Sequence, residues 1–203
     1  MNILAHGWLS GRNDDLLTGN FLGDFVKGDP AHPRHGLTPG EVAGIRLHRI
    51  IDSFTDAHPD VAAVRNLLRP RCHKYAGPAV DIFFDHFLAA DFTALTGESL
   101  SAFTHYFYET LQRSSAHFPA PATRMMNALV QYDWISHYST IEGIDRSLKG
   151  VSRRTAFPSG LDTAVVDLER YYDEIRGRFA HFWPQLVHHC VLSVASARIE
   201  HGI

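Results

Sequence analysis

Apolar residues along this chain recur at intervals of three and four, the spacing of one face of an α-helix, and strict alternation of the kind a strand needs is almost absent. Thr38-Pro39-Gly40-Glu41 reads as a helix start, with Thr38 as N-cap, Pro39 in the first helical position and Glu41 closing a capping box. Val42, Ile45, Leu47, Ile50, Ile51 and Phe54 carry that helix to about Asp56, and Pro59 marks its break. Further helices are predicted over Pro59 to Leu68, ended by Pro70, and over Pro78 to Ala90. Others follow over Ser99 to about His117, Pro121 to Tyr138 and Ile141 to Leu148. Leu161 to Ile199 reads as one long helical tract with Pro184 as its kink or break. No repeat, linker or boundary divides the sequence, so residues 1–203 are expected to form a single all-α domain, a helical bundle.

Three of these apolar segments carry polar residues where an amphipathic helix should have none. Asp24 sits inside Asn20-Phe21-Leu22-Gly23-Asp24-Phe25-Val26. His48 and Asp52 are four residues apart and share one helix face, as do Asp81 and Asp85, with His86 the next residue round. An unpaired carboxylate among apolar groups is costly, so it pairs, shifts its pKa or binds a cation. Asp24, His48, Asp52, Asp85 and His86 together are therefore a candidate set of nitrogen and oxygen ligands, suited to Mn, Fe, Zn or Mg. Taken singly, each has a plainer reading: Asp24 as a cap or a partner of Lys27 or Arg49, His48 with Asp52 as a surface ion pair. Arg49 could serve a phosphate oxygen or neutralise Asp52 or Asp24; His6 could be a ligand, a general acid or a satisfied core histidine.

Composition adds exclusions. A net charge of −3 argues against a nucleic-acid binder held by a basic field, and no window approaches the apolar length of a membrane span. The first ten residues lack the basic start and apolar length of a secretory signal. Cys72 and Cys190 are far apart and form no Cys-x-x-Cys pair, so a reduced, cytoplasmic protein without sulfur ligands is expected. Fourteen histidines invite a search for a site, but adjacent His188 and His189 point about 100° apart on a helix and rarely share an ion.

Met1-Asn2-x-Leu4-Ala5-His6, Gly19-Asn20-x-Leu22-x-Asp24-Phe25-Val26-x-Gly28 and His48-Arg49-x-Ile51-Asp52-x-x-Thr55-Asp56 resemble the acyl carrier protein phosphodiesterases. So do Asp81-x-x-x-Asp85-His86-Phe87-Leu88 and Ser152-Arg153-Arg154, and the resemblance runs in order from residue 1 to about residue 183. It implies cleavage of the phosphodiester that links 4′-phosphopantetheine to a serine of holo acyl carrier protein, with a divalent metal, typically Mn²⁺. It also implies a distant similarity to the all-helical His-Asp metal-dependent phosphohydrolases, although here the adjacent pair is reversed, Asp85 before His86. On this reading Asp24, His48, Asp52, Asp85 and His86 hold the metal, and His6 protonates the leaving serine oxygen. Arg49, or Arg153 with Arg154, offsets phosphoryl charge, and Arg153 with Arg154 also faces the acidic carrier protein, with no nucleic acid or membrane as partner. Two basic stretches could meet that partner: Arg65, Arg69, Arg71 and Lys74, and Arg146, Lys149, Arg153 and Arg154. Rival readings of the same ligands are a phosphohydrolase of nucleotides or cyclic dinucleotides, and a non-catalytic helical metal-binding module.

Overall fold

Thr38 and Glu41 do what their spacing predicts. The Thr38 hydroxyl accepts the Glu41 amide at 3.1 Å, and the Glu41 carboxylate accepts the Thr38 amide at 2.8 Å. This capping box starts α3 (Pro39–Ala57), the helix that carries His48 and Asp52. The structure is a computed structural model that describes residues 3–201, with side chains to residue 193, and among these every regular element is helical. Two helices precede the capping box in a stretch where the sequence pattern assigned none: α1 (Ile3–Leu9) and α2 (Asp14–Leu22). The Asn13 side chain caps α2 by accepting the Leu16 amide at 3.0 Å.

Downstream run α4 (Pro59–Cys72), α5 (Ala76–Ala90), α6 (Phe92–Thr96) and α7 (Leu100–Ser114). They are followed by α8 (Ala120–Tyr132), α9 (Trp134–His137) and α10 (Ile141–Ser152), then α11 (Val165–Arg170) and α12 (Tyr172–His201). Three expected boundaries move. α4 does not stop before Pro70 but runs to Cys72, because Cys72 is buried and Arg71 is clamped by both carboxylate oxygens of Asp167, at 2.6 and 3.1 Å. Tertiary contacts thus carry the last turn past the proline. The segment expected to be one helix from Pro121 to Tyr138 breaks at Asp133, which takes the left-handed conformation at φ 45°. The C-terminal tract breaks at Tyr171, whereas Pro184 lies inside α12, flanked by buried Phe182, Trp183 and Leu186, which hold the helix on the core across the missing amide.

α5 is the central helix. Val80, Phe83, Phe84, Phe87 and Leu88 are all buried, and Phe84 and Phe87 pack against Phe179 and Phe182 of α12. Pro78 is tolerated because it falls in the first turn of α5, where amides have no intrahelical acceptor. Helices α2 and α3 pack closely. A Cβ on Gly19 would stand 2.0 Å from the Glu41 carbonyl oxygen, and one on Gly44 would stand 2.3 Å from that of Leu16. The two backbones therefore touch, and that contact sets the ends of α2 against the His48 face of α3. No described helix is long and apolar enough to cross a membrane. Cys72 and Cys190 are both free and buried, and burial pushes their thiols up to about 11 and about 12.

Candidate metal centre

His48 and Asp52, one turn apart on α3, point to the same place, and His6 from α1 meets them there. His48 Nε2 lies 3.1 Å from one Asp52 oxygen and His6 Nε2 lies 3.2 Å from the other. The two imidazole rings are 4.3 Å apart. Ligand atoms of His6, His48 and Asp52 all fall within 4.8 Å of one another. Asp24, in the turn after α2, adds an oxygen 3.6 Å from His48 Nε2, with its side chain 75% exposed at the mouth. The other ring nitrogens are held as well. His6 Nδ1 is 2.8 Å from the Asn20 side-chain oxygen, and His48 Nδ1 is 2.9 Å from the Asn20 main-chain oxygen. Gly23 leaves room for the His48 ring, because a Cβ there would sit 2.2 Å from Cγ of the imidazole.

The electrostatics follow from this crowding. Burial disfavours a charged His48, but hydrogen bonds to Asp24 and Asp52 overcome it and raise the imidazole to about 9. Burial lowers His6, assisted by the neighbouring His48. Asp52 is pushed up by burial but down more strongly by the two histidines, and ends well below the usual carboxylate range. Asp24 is lowered by its hydrogen bond with His48.

These groups open onto a cleft of about 290 Å³. Its polar lining comes from His6, Asn20, Asp24, His48, Asp52 and Asp81, and its apolar lining from Ile3, Phe21, Phe25, Phe107 and Met125. Thr55, also in the lining, is buried with a hydroxyl that has no partner among the described residues.

The structure separates the remaining expected site residues from this cluster. Asp85 is fully buried and accepts the amides of Leu4 at 2.9 Å and Ala5 at 3.4 Å, so it anchors the start of α1 and through it His6. His86 points elsewhere, its Nδ1 2.8 Å from the Tyr138 carbonyl and its Nε2 3.0 Å from the Tyr172 hydroxyl, and burial lowers its pKa. Adjacent helical residues diverge by about 100°, which is why Asp85 and His86 do not converge on one ion. Arg49 donates to the carbonyls of Val26 at 3.3 Å and Gly28 at 2.7 Å, steadying the turn that carries Asp24 rather than facing the cleft. Arg153 and Arg154 are exposed at the end of α10, and Arg154 reaches the Met125 sulfur at 4.0 Å in the cleft's apolar lining.

The family of acyl carrier protein phosphodiesterases matches residues 1–186. The chain belongs to this family. It is 32% identical over 188 residues to the acyl carrier protein phosphodiesterases of Salmonella paratyphi A, Salmonella agona and Salmonella newport, covering 92% of this chain and 96% of each relative. No solved structure matches. The family match spans every residue of the cluster. Asn20, which meets both histidines, is the member of the cluster that the sequence does not single out; its one signal is an amide in the middle of a helix, beside Phe21 and Leu22.

Proposed function

We propose that this chain hydrolyses the phosphodiester of holo acyl carrier protein, releasing 4′-phosphopantetheine, at a divalent cation held by His6, His48 and Asp52 with Asp24 at its edge. The observation that carries this reading is the convergence of the two Nε2 atoms on opposite oxygens of Asp52, at 3.2 and 3.1 Å. If each Nδ1 carries the ring proton toward its Asn20 oxygen, both Nε2 atoms and the carboxylate are acceptors in opposition, an arrangement relieved by a proton or a cation. Two imidazoles and a carboxylate fit Mn²⁺, Mg²⁺, Fe²⁺ or Zn²⁺, and the family resemblance favours Mn²⁺. What such an ion supplies when bound is an acidified water and positive charge beside the phosphoryl oxygens.

The protein's own residues have distinct tasks in this proposal. His6 is turned into the cluster by both ring nitrogens, so it acts as a ligand and not as proton donor to the leaving serine oxygen. Arg49 keeps Asp24 at the mouth by holding the Val26 and Gly28 carbonyls. Ile3, Phe21 and Phe107 give the pantetheine arm an apolar wall. A cytoplasmic location belongs to the same proposal, and two free buried thiols suit a reducing compartment.

An acidic partner needs a basic approach. Lys74 lies 4.3 Å over the ring of Phe157, which is 62% exposed and follows Arg153 and Arg154 closely in the chain. Arg154 in turn reaches Met125, which lines the cleft. Within the first stretch Arg65 and Arg71 are engaged by Asp56 and Asp167, so the exposed Arg69 and Lys74 are the members this surface uses. Reversing Arg153 and Arg154 to glutamate is expected to raise the apparent KM for holo carrier protein and flatten its salt dependence, leaving kcat largely intact. Unchanged KM would remove these arginines from the docking face. Turnover assays on holo carrier protein beside a panel of nucleotides and cyclic dinucleotides, all with Mn²⁺, test the substrate class. The proposal expects turnover of the carrier protein alone, and hydrolysis of the free nucleotides instead would overturn it.

A further inference from the structure

Asn20 touches both histidines and holds them by different means. Its side chain sits in a closed, buried circuit: Nδ2 donates to the His6 carbonyl at 2.9 Å and to the Ser10 hydroxyl oxygen at 3.0 Å. The Ser10 hydroxyl in turn donates to the His6 carbonyl at 2.9 Å. Turning the amide over would set its oxygen against the His6 carbonyl, two acceptors in opposition, so the circuit fixes which end is oxygen. That oxygen then faces His6 Nδ1 and requires it to be the protonated nitrogen. His48 is held instead by the main chain. Asn20 lies in the last turn of α2, and its carbonyl oxygen, which also accepts the Gly23 amide at 3.2 Å, takes the His48 Nδ1 proton.

We infer that Asn20 is the positioning residue of the centre, setting the ring tautomer and aim of His6 through its side chain and of His48 through its backbone carbonyl. The inference rests on the proposed metal reading of the cluster, and it makes an asymmetric demand that a general packing role would not. Truncating the side chain removes the hold on His6 and leaves the hold on His48 in place.

The test uses the full chain with Zn²⁺ as a diamagnetic probe, comparing wild type with Asn20→Ala and Ser10→Ala. In zinc-loaded wild type, ¹H–¹⁵N spectra should show protected Nδ1–H signals and Nε2 coordination for both His6 and His48. Asn20→Ala should lose the protected His6 signal, keep that of His48, and bind zinc about 10- to 100-fold more weakly by calorimetry. Ser10→Ala keeps the His6 partner but frees one arm of the amide, and should produce a smaller effect of the same kind, a reading available even if Asn20→Ala does not fold. Loss of both histidine signals together, or zinc affinity and His6 signals unchanged in both variants, would overturn the inference. Wild type that takes up no zinc would refute the metal reading instead. The Asn20 inference would then be decided in metal-free protein at about pH 8, by which ring nitrogen of His6 carries its proton. A His6 proton on Nδ1 in wild type and redistributed in Asn20→Ala would support it, and one on Nε2 in wild type would overturn it.

Discussion

Replacing Asp52 by alanine is expected to abolish metal-dependent turnover while leaving the helical content unchanged. Among the described residues Asp52 is the side chain that faces both imidazoles, one oxygen toward each. Without it the two rings, 4.3 Å apart, have no anion between them. A bound cation is worth several kcal/mol of transition-state charge stabilisation, so the loss in kcat/KM should be on the order of 10³-fold or more. The side chain is about half exposed on the surface of α3, so little core packing goes with it. Asp24→Ala should cost less, because its carboxylate stands farther from His48 and mostly in solvent. The metal-free protein offers an independent readout. His48 is held at about 9, above its ordinary 6.5, by Asp24 and Asp52 against the pull of burial. Its stabilising contribution is therefore complete below 6.5 and is lost as pH rises through about 9. In Asp52→Ala an NMR titration should find His48 moved down toward the ordinary value, and the alkaline loss of stability should shrink with it. Wild-type activity in this variant would contradict the site.

Gly19→Ala is expected to be among the most damaging small substitutions in the chain. The added Cβ would meet the Glu41 carbonyl oxygen at 2.0 Å and its carbon at 2.7 Å, and these are backbone atoms that no rotamer change can move aside. Overpacking ordinarily costs about 1–3 kcal/mol, and a backbone neighbour places this case at the upper end. The helices α2 and α3 would have to part, and their contact is what brings Asn20 and Asp24 to His48. A thermal melt and a zinc titration check this together: the melting temperature should fall by several degrees and metal affinity with it. A variant as stable as wild type would mean that the two helices are not held in backbone contact. Gly11→Ala makes a useful contrast, since a Cβ there meets nothing within 4 Å and only the strain of its positive φ remains.

What the sequence revealed and what it hid divide by range. Thr38 with Glu41, and His48 with Asp52, act within one helix turn, and both relations were legible because the helical period alone decides them. Asp85 and His86 are different. As polar residues in an apolar helix they join the expected ligand set, yet one caps α1 and the other bonds Tyr138 and Tyr172, partners drawn from distant parts of the chain. His6 was recognised as chemically interesting, but its role depends on Asn20, Asp52 and Ser10, contributed by three separate segments. α1 and α2 escaped notice because they are short and, in α2, interrupted by a glycine that exists for the contact with α3. Pro70 and Pro184 warn of the converse error. Local propensity favours a break at each, and buried neighbours overrule it.

Intact-mass spectrometry of holo acyl carrier protein, incubated with this protein and Mn²⁺, tests the central claim most directly. The account predicts conversion to apo carrier protein, by loss of the phosphopantetheine mass with the serine hydroxyl restored, and predicts no conversion by Asp52→Ala or after chelation of the metal. Holo carrier protein left intact by folded, Mn²⁺-loaded wild type would contradict it.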